Sequence, residues 1–423
     1  MTPDFTGNPS FVYFLVMKNF ILTTCIALAC LTACVYEPEP FTATETGTES
    51  NKESGSVAEF GELYSINGNF QVCNPSVSQD TVNYPASMLW LNFKNISVDT
   101  DDSAYPTAKK LVKQHDRLTV SDTSNKVVWF FMADSSEGDC LFQDPEWSTH
   151  GGFVVTLRSF DKTGGKCKDE NQDYGIMAIR MVDKKRFYFY GQGISDKSTP
   201  HLWIDPSAQV DTTADTSTVE GFFGTRNVRL TYVDPQDGIV FVDLSKVESL
   251  EDLEKTLAKP QKLKKPSGLK DWLLDSPMFS PDGEYIVFNA FDGSETSWES
   301  YVQELSETSS PVKMKVLDKM MSPPAQPHWY KNGDRLFVVW TEFPSGSKIL
   351  NLNDLRNPSV QGGDYGRTAM REVSLKHGGP ADFAVEWVGD VRELAPVPMM
   401  GGRSPDGRFL ATGTNHAFML KLP

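Results

Sequence analysis

The sequence predicts an all-β fold: a β-propeller of four-stranded antiparallel blades behind a signal peptide and a disordered linker. Six blades is the first reading and seven the alternative. Three observations predict it. An Asp-Gly or Asn-Gly step recurs ahead of β-branched and aromatic runs. Counted together with fainter strand runs upstream, the recurrences lie 43 to 74 residues apart, the span of a small antiparallel meander with its loops. Hydrophobic residues make up 39% and charged residues 23% of the 423, as in a folded globular chain.

The amino terminus is the first element. Residues 11–33 are almost wholly apolar, broken by Lys18, Asn19 and a few threonines. A basic start, a short apolar core and small residues after it describe a secretory signal over residues 1–33, with Met17 as the expected initiator. The stretch is also long enough for an uncleaved span, which is the competing reading. Residues 34–59 follow, rich in Glu, Thr, Ser and Pro, with six glutamates against one lysine. Such a segment has little to bury and is expected to be an extended spacer. The propeller is assigned to residues 60–423.

The repeat carries the fold. Residues 276–283 read SPMFSPDG and are followed by EYIVF; residues 326–333 read QPHWYKNG and are followed by DRLFVVW; residues 404–407 read SPDG and are followed by RFLAT. In each, Pro281, Asp282 and Gly283, then Asn332 and Gly333, then Pro405, Asp406 and Gly407 fit a tight turn. Proline presets φ, Asp or Asn tolerates the turn, and glycine takes the positive φ. Fainter runs at 126–131, 185–190 and 228–233 extend the series, giving phases near 125, 184, 227, 283, 333 and 407. Third strands are expected at 201–204, 239–244, 301–305, 349–352 and 417–422. The last blade then lacks an outer strand, and residues 60–95 are expected to supply it, at 62–66 or 88–93. Residues 245–259 place Val247, Leu250, Leu253 and Leu257 at helical spacing, the stripe of a short surface helix.

Two resemblances follow from these residues. The phrase P-x-F-S-P-D-G-x-x-I-x-F at 277–288 resembles the TolB-type, WD40-like (PD40) propeller repeat, whose propellers have six blades. Leu31-Thr32-Ala33-Cys34 resembles the lipobox of bacterial lipoproteins, which implies lipidation of Cys34 and cleavage before it. Val35 at the following position is compatible with outer-membrane sorting. The expected location is therefore the cell envelope, periplasm-facing, with the membrane as one partner through the lipid on Cys34.

Chemistry is sparse. The net charge of −16 argues against nucleic acid, since phosphate binding needs a basic surface. No G-x-S-x-G, Walker A, G-x-G-x-x-G or H-E-x-x-H pattern occurs, so no cofactor and no metal are expected. After the signal and Cys34, the remaining cysteines are Cys73, Cys140 and Cys167, and at most one pair forms among them. Cys140 and Cys167, nearest in sequence and flanking a strand, are the expected pair; three unpaired thiols is the alternative. The functional expectation is a non-catalytic scaffold that binds an envelope protein or glycan. The alternative is a lyase-like carbohydrate-active propeller holding a metal with axial histidines, drawn from His115, His150, His201, His328, His377 and His416.

Overall fold

The computed structural model describes residues 55–57 and 60–423, apart from 94, 106–113, 164–166, 168–171, 270–272, 292–297, 316–319, 321, 345–365, 378–382 and 414–415. Cys34, the lipobox and the apolar stretch 11–33 lie outside the described residues, as does the third strand expected at 349–352. Among the described residues no helix is long and apolar enough to cross a membrane.

The chain begins with β1 (Gly55–Val57) and β2 (Gly61–Ser65). Blade one is β3 (Cys73–Val77), β4 (Ser87–Leu91), β5 (Arg117–Asp122) and β6 (Val127–Met132). Blade two is β7 (Asp139–Trp147), β8 (Phe153–Asp161), β9 (Gln172–Arg180) and β10 (Arg186–Phe189). Blade three is β11 (His201–Ile204), β12 (Val228–Asp234), β13 (Gly238–Asp243) and β14 (Gln261–Lys262). Blade four is β15 (Leu273–Phe279), β16 (Tyr285–Phe291), β17 (Trp298–Glu304) and β18 (Val312–Lys313). Blade five is β19 (Pro324–Asn332), β20 (Arg335–Glu342), β21 (Arg367–His377) and β22 (Phe383–Ala395). Blade six is β23 (Phe409–Thr412) and β24 (Phe418–Lys421), completed by β2 and β1. Every pairing within the six sheets is antiparallel, and the fold is a six-bladed propeller.

The ring closes between the chain ends. β2 lies against β24 with Glu62 opposite Lys421 and Ser65 opposite Phe418. The closing strand is the 62–66 segment, and the 88–93 segment is instead the second strand of blade one, because a buried run such as Ser87–Leu91 fits an interior strand. The outermost strand, Gly55–Val57, comes from the stretch read as spacer.

The repeat turns join the first and second strands of blades four and five, and in blade six the same turn leads from the Arg403 bridge to Leu410 into β23. Gly283, Gly333 and Gly407 have φ of 73°, 58° and 71°. In blade four the Ser280 hydroxyl accepts from Tyr285 N at 3.0 Å, and Asp282 accepts from Glu284 N at 3.1 Å. In blade six Ser404 accepts from Phe409 N at 2.9 Å, and Asp406 from Arg408 N at 3.1 Å. The S-P-D-G phrase is thus a side-chain-tied turn that docks on the preceding blade. A Cβ on Gly283 would fall 2.5 Å from the Trp203 ring, and Trp203 Nε1 donates to the Pro281 carbonyl at 3.0 Å.

Two of the six phases are shifted. Asn125 and Lys184, both at positive φ, turn the chain between third and fourth strands, so the runs after them are β6 and β10 and not second strands. Every hairpin of a meander needs a turn, and a tight turn alone does not say which one it is. His201–Ile204 is likewise a first strand. The helix spans Leu250–Leu257 and buries Leu253 and Leu257, while Leu250 is 56% exposed and Val247 precedes it.

The core lies between blades, since a lone meander cannot bury both its faces. Blades two and three share Phe153, Val155, Leu202 and Leu230, with Phe222 and Phe223 of the short helix Val219–Phe223 wedged among them. Blades five and six share Tyr330, Val339, Met370, Leu410 and Phe418, together with Leu63 of β2.

Candidate functional site

The first strands gather at the axis, and four share a local feature. In β3, β7, β15 and β19 the register shifts at an X-Pro step: Asn74-Pro75, Asp144-Pro145, Ser276-Pro277 and Gln326-Pro327. Proline has no N–H to give the ladder, which favours a bulge there. The residue before each proline has φ of 46°, 45°, 49° and 50°. Such strained backbone recurs at functional sites. Thr199-Pro200 stands just ahead of β11.

These bulges bring side chains of four blades together around a space of about 20 Å³ lined by Asn74, Asp144, Glu146, Thr199, Ser276 and Met278. Their polar atoms join neighbouring blades. The Asn74 amide donates to Asp144 Oδ1 at 2.6 Å. Trp147 N donates to Ser76 Oγ at 3.1 Å, and Ser276 N to Thr199 Oγ1 at 2.9 Å. Gln326 N donates to Asn289 Oδ1 at 2.9 Å.

Three carboxyl groups sit here without an ion pair among the described residues: Asp144, Glu146 and Asp275. Burial, with the Asp275 charge adding to it, pushes Asp144 up to about 7. Burial also lifts Glu146 to about 8, the Asp144 charge adding and the Ser76 hydroxyl opposing. Asp275 is raised by burial. The cluster therefore holds protons near neutral pH, the property that makes a carboxyl group useful as a general acid.

That property has a stability consequence. The folded-state values of Asp144 and Glu146 lie above the ordinary 3.8 and 4.5, so the native chain binds more protons than the unfolded one between about pH 4 and 8. Stability contributed by the neutral forms is present at low pH and is lost as pH rises through that window. The melting temperature of wild type is expected to fall from about pH 5 to 8, and that of Asp144→Asn/Glu146→Gln to fall less. Calorimetric scans across this range check it.

The histidines do not converge. His201 Nδ1 accepts from Phe279 N at 3.1 Å, which puts its proton on Nε2, toward the Trp147 backbone; burial and then His328 push its pKa down to about 3. His328 Nδ1 donates to the Gln326 carbonyl at 3.0 Å, and burial lowers its pKa. His150 caps the turn at Gly152, His115 Nε2 lies 3.2 Å from Cys73 Sγ, His416 contacts the Asn69 carbonyl, and His377 ends β21. Among the described residues no group of three or more His, Cys, Asp or Glu is placed to hold a metal. Of the six histidines offered for an axial metal, His201 and His328 lie in first strands, each with Nδ1 hydrogen-bonded to a backbone atom.

Cys140 and Cys167 are bonded to each other, joining β7 to the segment before β9. The turn residues Pro281, Asp282, Gly283, Asn332, Gly333, Pro405, Asp406 and Gly407 are architectural. The axial carboxyl groups were not expected from the sequence, although the recurring X-Pro dipeptide was its available signal.

No protein-family profile matches the chain. No curated protein matches it either. The TolB-type assignment thus rests on the repeat phrase alone. Among solved structures, the chain is similar to an exo-1,5-α-L-arabinanase from a bovine ruminal metagenomic library, at 11% identity and TM-score 0.36, over 76% of this chain and 98% of that one. It is similar to an oligogalacturonate lyase from Vibrio parahaemolyticus at 9% and 0.37, over 83% and 77%, and to the Kuenenia stuttgartiensis hydrazine synthase at 10% and 0.36, over 82% and 74%. Likenesses of this size assign neither a family nor an activity.

Proposed function

We propose that the chain is an exported lipoprotein, anchored in the outer membrane through Cys34, whose propeller recognises an envelope protein or glycan without catalysing a reaction. One observation carries the non-catalytic part. Several polar groups of the first strands join neighbouring blades, and the space among Asn74, Asp144, Glu146, Thr199 and Ser276, about 20 Å³, has room for roughly one water. A sugar ring or peptide does not fit there, so recognition falls to the outer faces. The basic start, the apolar core and the Leu31-Thr32-Ala33-Cys34 phrase support the anchor.

A second reading is favoured by the carboxyl groups: an acid–base enzyme acting on glycans at the channel mouth, with Glu146 as acid and Asp144 as base. Two experiments decide. Labelled palmitate is expected to enter wild type and not Cys34→Ala, which should leave the membrane fraction; a Cys34→Ala chain still bound to membranes overturns the anchor. Incubation with a polysaccharide panel is expected to release no new chain ends. Turnover that disappears in Glu146→Gln installs the second reading instead.

A further inference from the structure

A larger cavity, about 220 Å³, lies off the axis between blades five and six. At about 30 Å³ per water it holds roughly seven waters, or one ring-sized group. β21 and β22, with 11 and 13 residues, build its wall. Their register slips between the pair Met370–Arg392 and the pair Glu372–Val388, so 389–391 bulge opposite Arg371, with Gly389 at φ 67°. Bulges of this kind re-aim side chains and are frequent beside binding sites.

Four arginines line the cavity of a chain whose net charge is −16. Arg335 is neutralised by Glu372, with Nε 3.0 Å from Oε2. The other three have no carboxylate partner among the described residues. Arg403 is fixed by neutral groups: it lies 4.1 Å over the Tyr330 ring, and its Nε donates to the Gly407 carbonyl at 2.8 Å. Arg371 Nε is buried and makes no hydrogen bond. Arg392 is exposed. Two carboxylates line the cavity, and since Glu372 is taken up by Arg335, Asp390 is left to face the other three charges. Burial, and repulsion from Arg392, hold the Arg403 guanidinium below its usual pKa, a cost that an anion in the cavity relieves.

We infer that this cavity is a binding site for an oxyanion, a carboxylate, sulfate or phosphate carried on a group no larger than one sugar ring, with Arg371 and Arg392 as its ligands and Arg403 as a fixed positive charge beside them. Guanidinium groups present paired N–H donors that match the oxygens of such anions. The Tyr330 and Phe337 rings and Met370 supply an apolar floor for the carrier of the charge. The inference is independent of the anchor on Cys34 and of the axial carboxyl groups.

Titration calorimetry on the full chain at low salt, with inorganic phosphate, sulfate, glucuronate and neutral glucose, tests it. Saturable binding in the millimolar range or tighter is expected for at least one anion and not for glucose. The preferred anion identifies the source: glucuronate points to an acidic glycan, and the inorganic ions to a phosphate or sulfate ester. In Arg371→Gln/Arg392→Gln binding is expected to weaken at least about tenfold, and in Arg226→Gln, a distant exposed arginine, to be unchanged. Arg392→Gln alone, at an exposed position, gives the same direction if the double variant does not fold. Absence of saturable anion binding overturns the site. So does glucose binding as well as glucuronate, or a folded arginine variant that binds like wild type.

Discussion

Deleting residues 1–65 is expected to abolish the closed monomer, whereas deleting only 1–54 leaves it intact. The difference is β2. It supplies the outer neighbour of β24 through four residue pairs, from Glu62–Lys421 to Ser65–Phe418, and it buries Leu63 in the core between blades five and six. A buried leucine contributes roughly 2 kcal/mol, and each ladder hydrogen bond about 1 kcal/mol net. The loss approaches the whole stability of an ordinary domain, on the order of 5–15 kcal/mol. The edge it uncovers is an apolar strand with free N–H and C=O groups, a template for pairing with a second copy. Size-exclusion chromatography with light scattering should report oligomers and aggregates, and calorimetry a lost or strongly lowered transition. A peptide of residues 55–66 added in trans should restore part of the transition. A monomeric deletion with the wild-type melting curve removes the closing role assigned to β2.

That closing strand was legible because the carboxyl-terminal strands fall short of a full blade, an argument from sheet edges; the expected shortfall was one strand, and the sheet takes two, β2 and β1. The blade number was legible for a weaker reason. Gly283, Gly333 and Gly407 mark the same hairpin, and Ser280 and Ser404 tie it in the same way. Asn125 and Lys184 mark a different hairpin of the same meander, so the count of six survived a shift in phase. Blade one went unread as a unit: its second strand is buried on both faces and continuous in hydrophobicity, and residues 78–86 replace the tight turn. The axial cluster was hidden for a physical reason. Asp144 and Asp275 look like solvated acids in the sequence, and only the bulge at each X-Pro step and the convergence of blades take water from them. Asn74-Pro75, Asp144-Pro145, Thr199-Pro200, Ser276-Pro277 and Gln326-Pro327 recur in step with the blades. A residue type repeated at one phase of a propeller repeat, ahead of a first strand, is placed at the axis by topology.

Asp139→Ala is expected to destabilise the folded chain by roughly 3–5 kcal/mol, the cost of leaving a buried charge without its partner. Asp139 sits at the start of β7 with its side chain fully buried. It pairs with Arg158 Nε, and its other oxygen lies 3.0 Å from Arg186 Nη1 and accepts from Asp134 N at 2.8 Å. Arg158 is 4% exposed and is held further by the Tyr190 hydroxyl at 2.9 Å and the Phe160 and Tyr188 rings, each 4.9 Å away. Arg186 keeps a second partner, Glu137 Oε2 at 2.8 Å, and is part-exposed. The burden of the substitution therefore falls on Arg158, which has no other carboxylate partner among the described residues and cannot shed its proton. If the cost is the orphaned charge and not the lost contact, Asp139→Leu/Arg158→Met should recover most of it, because replacing a buried pair by apolar groups is often neutral. Chemical denaturation of Asp139→Leu, Arg158→Met and the double variant closes the cycle. A double variant no more stable than Asp139→Ala assigns the loss to packing at β7 and rejects the charge argument.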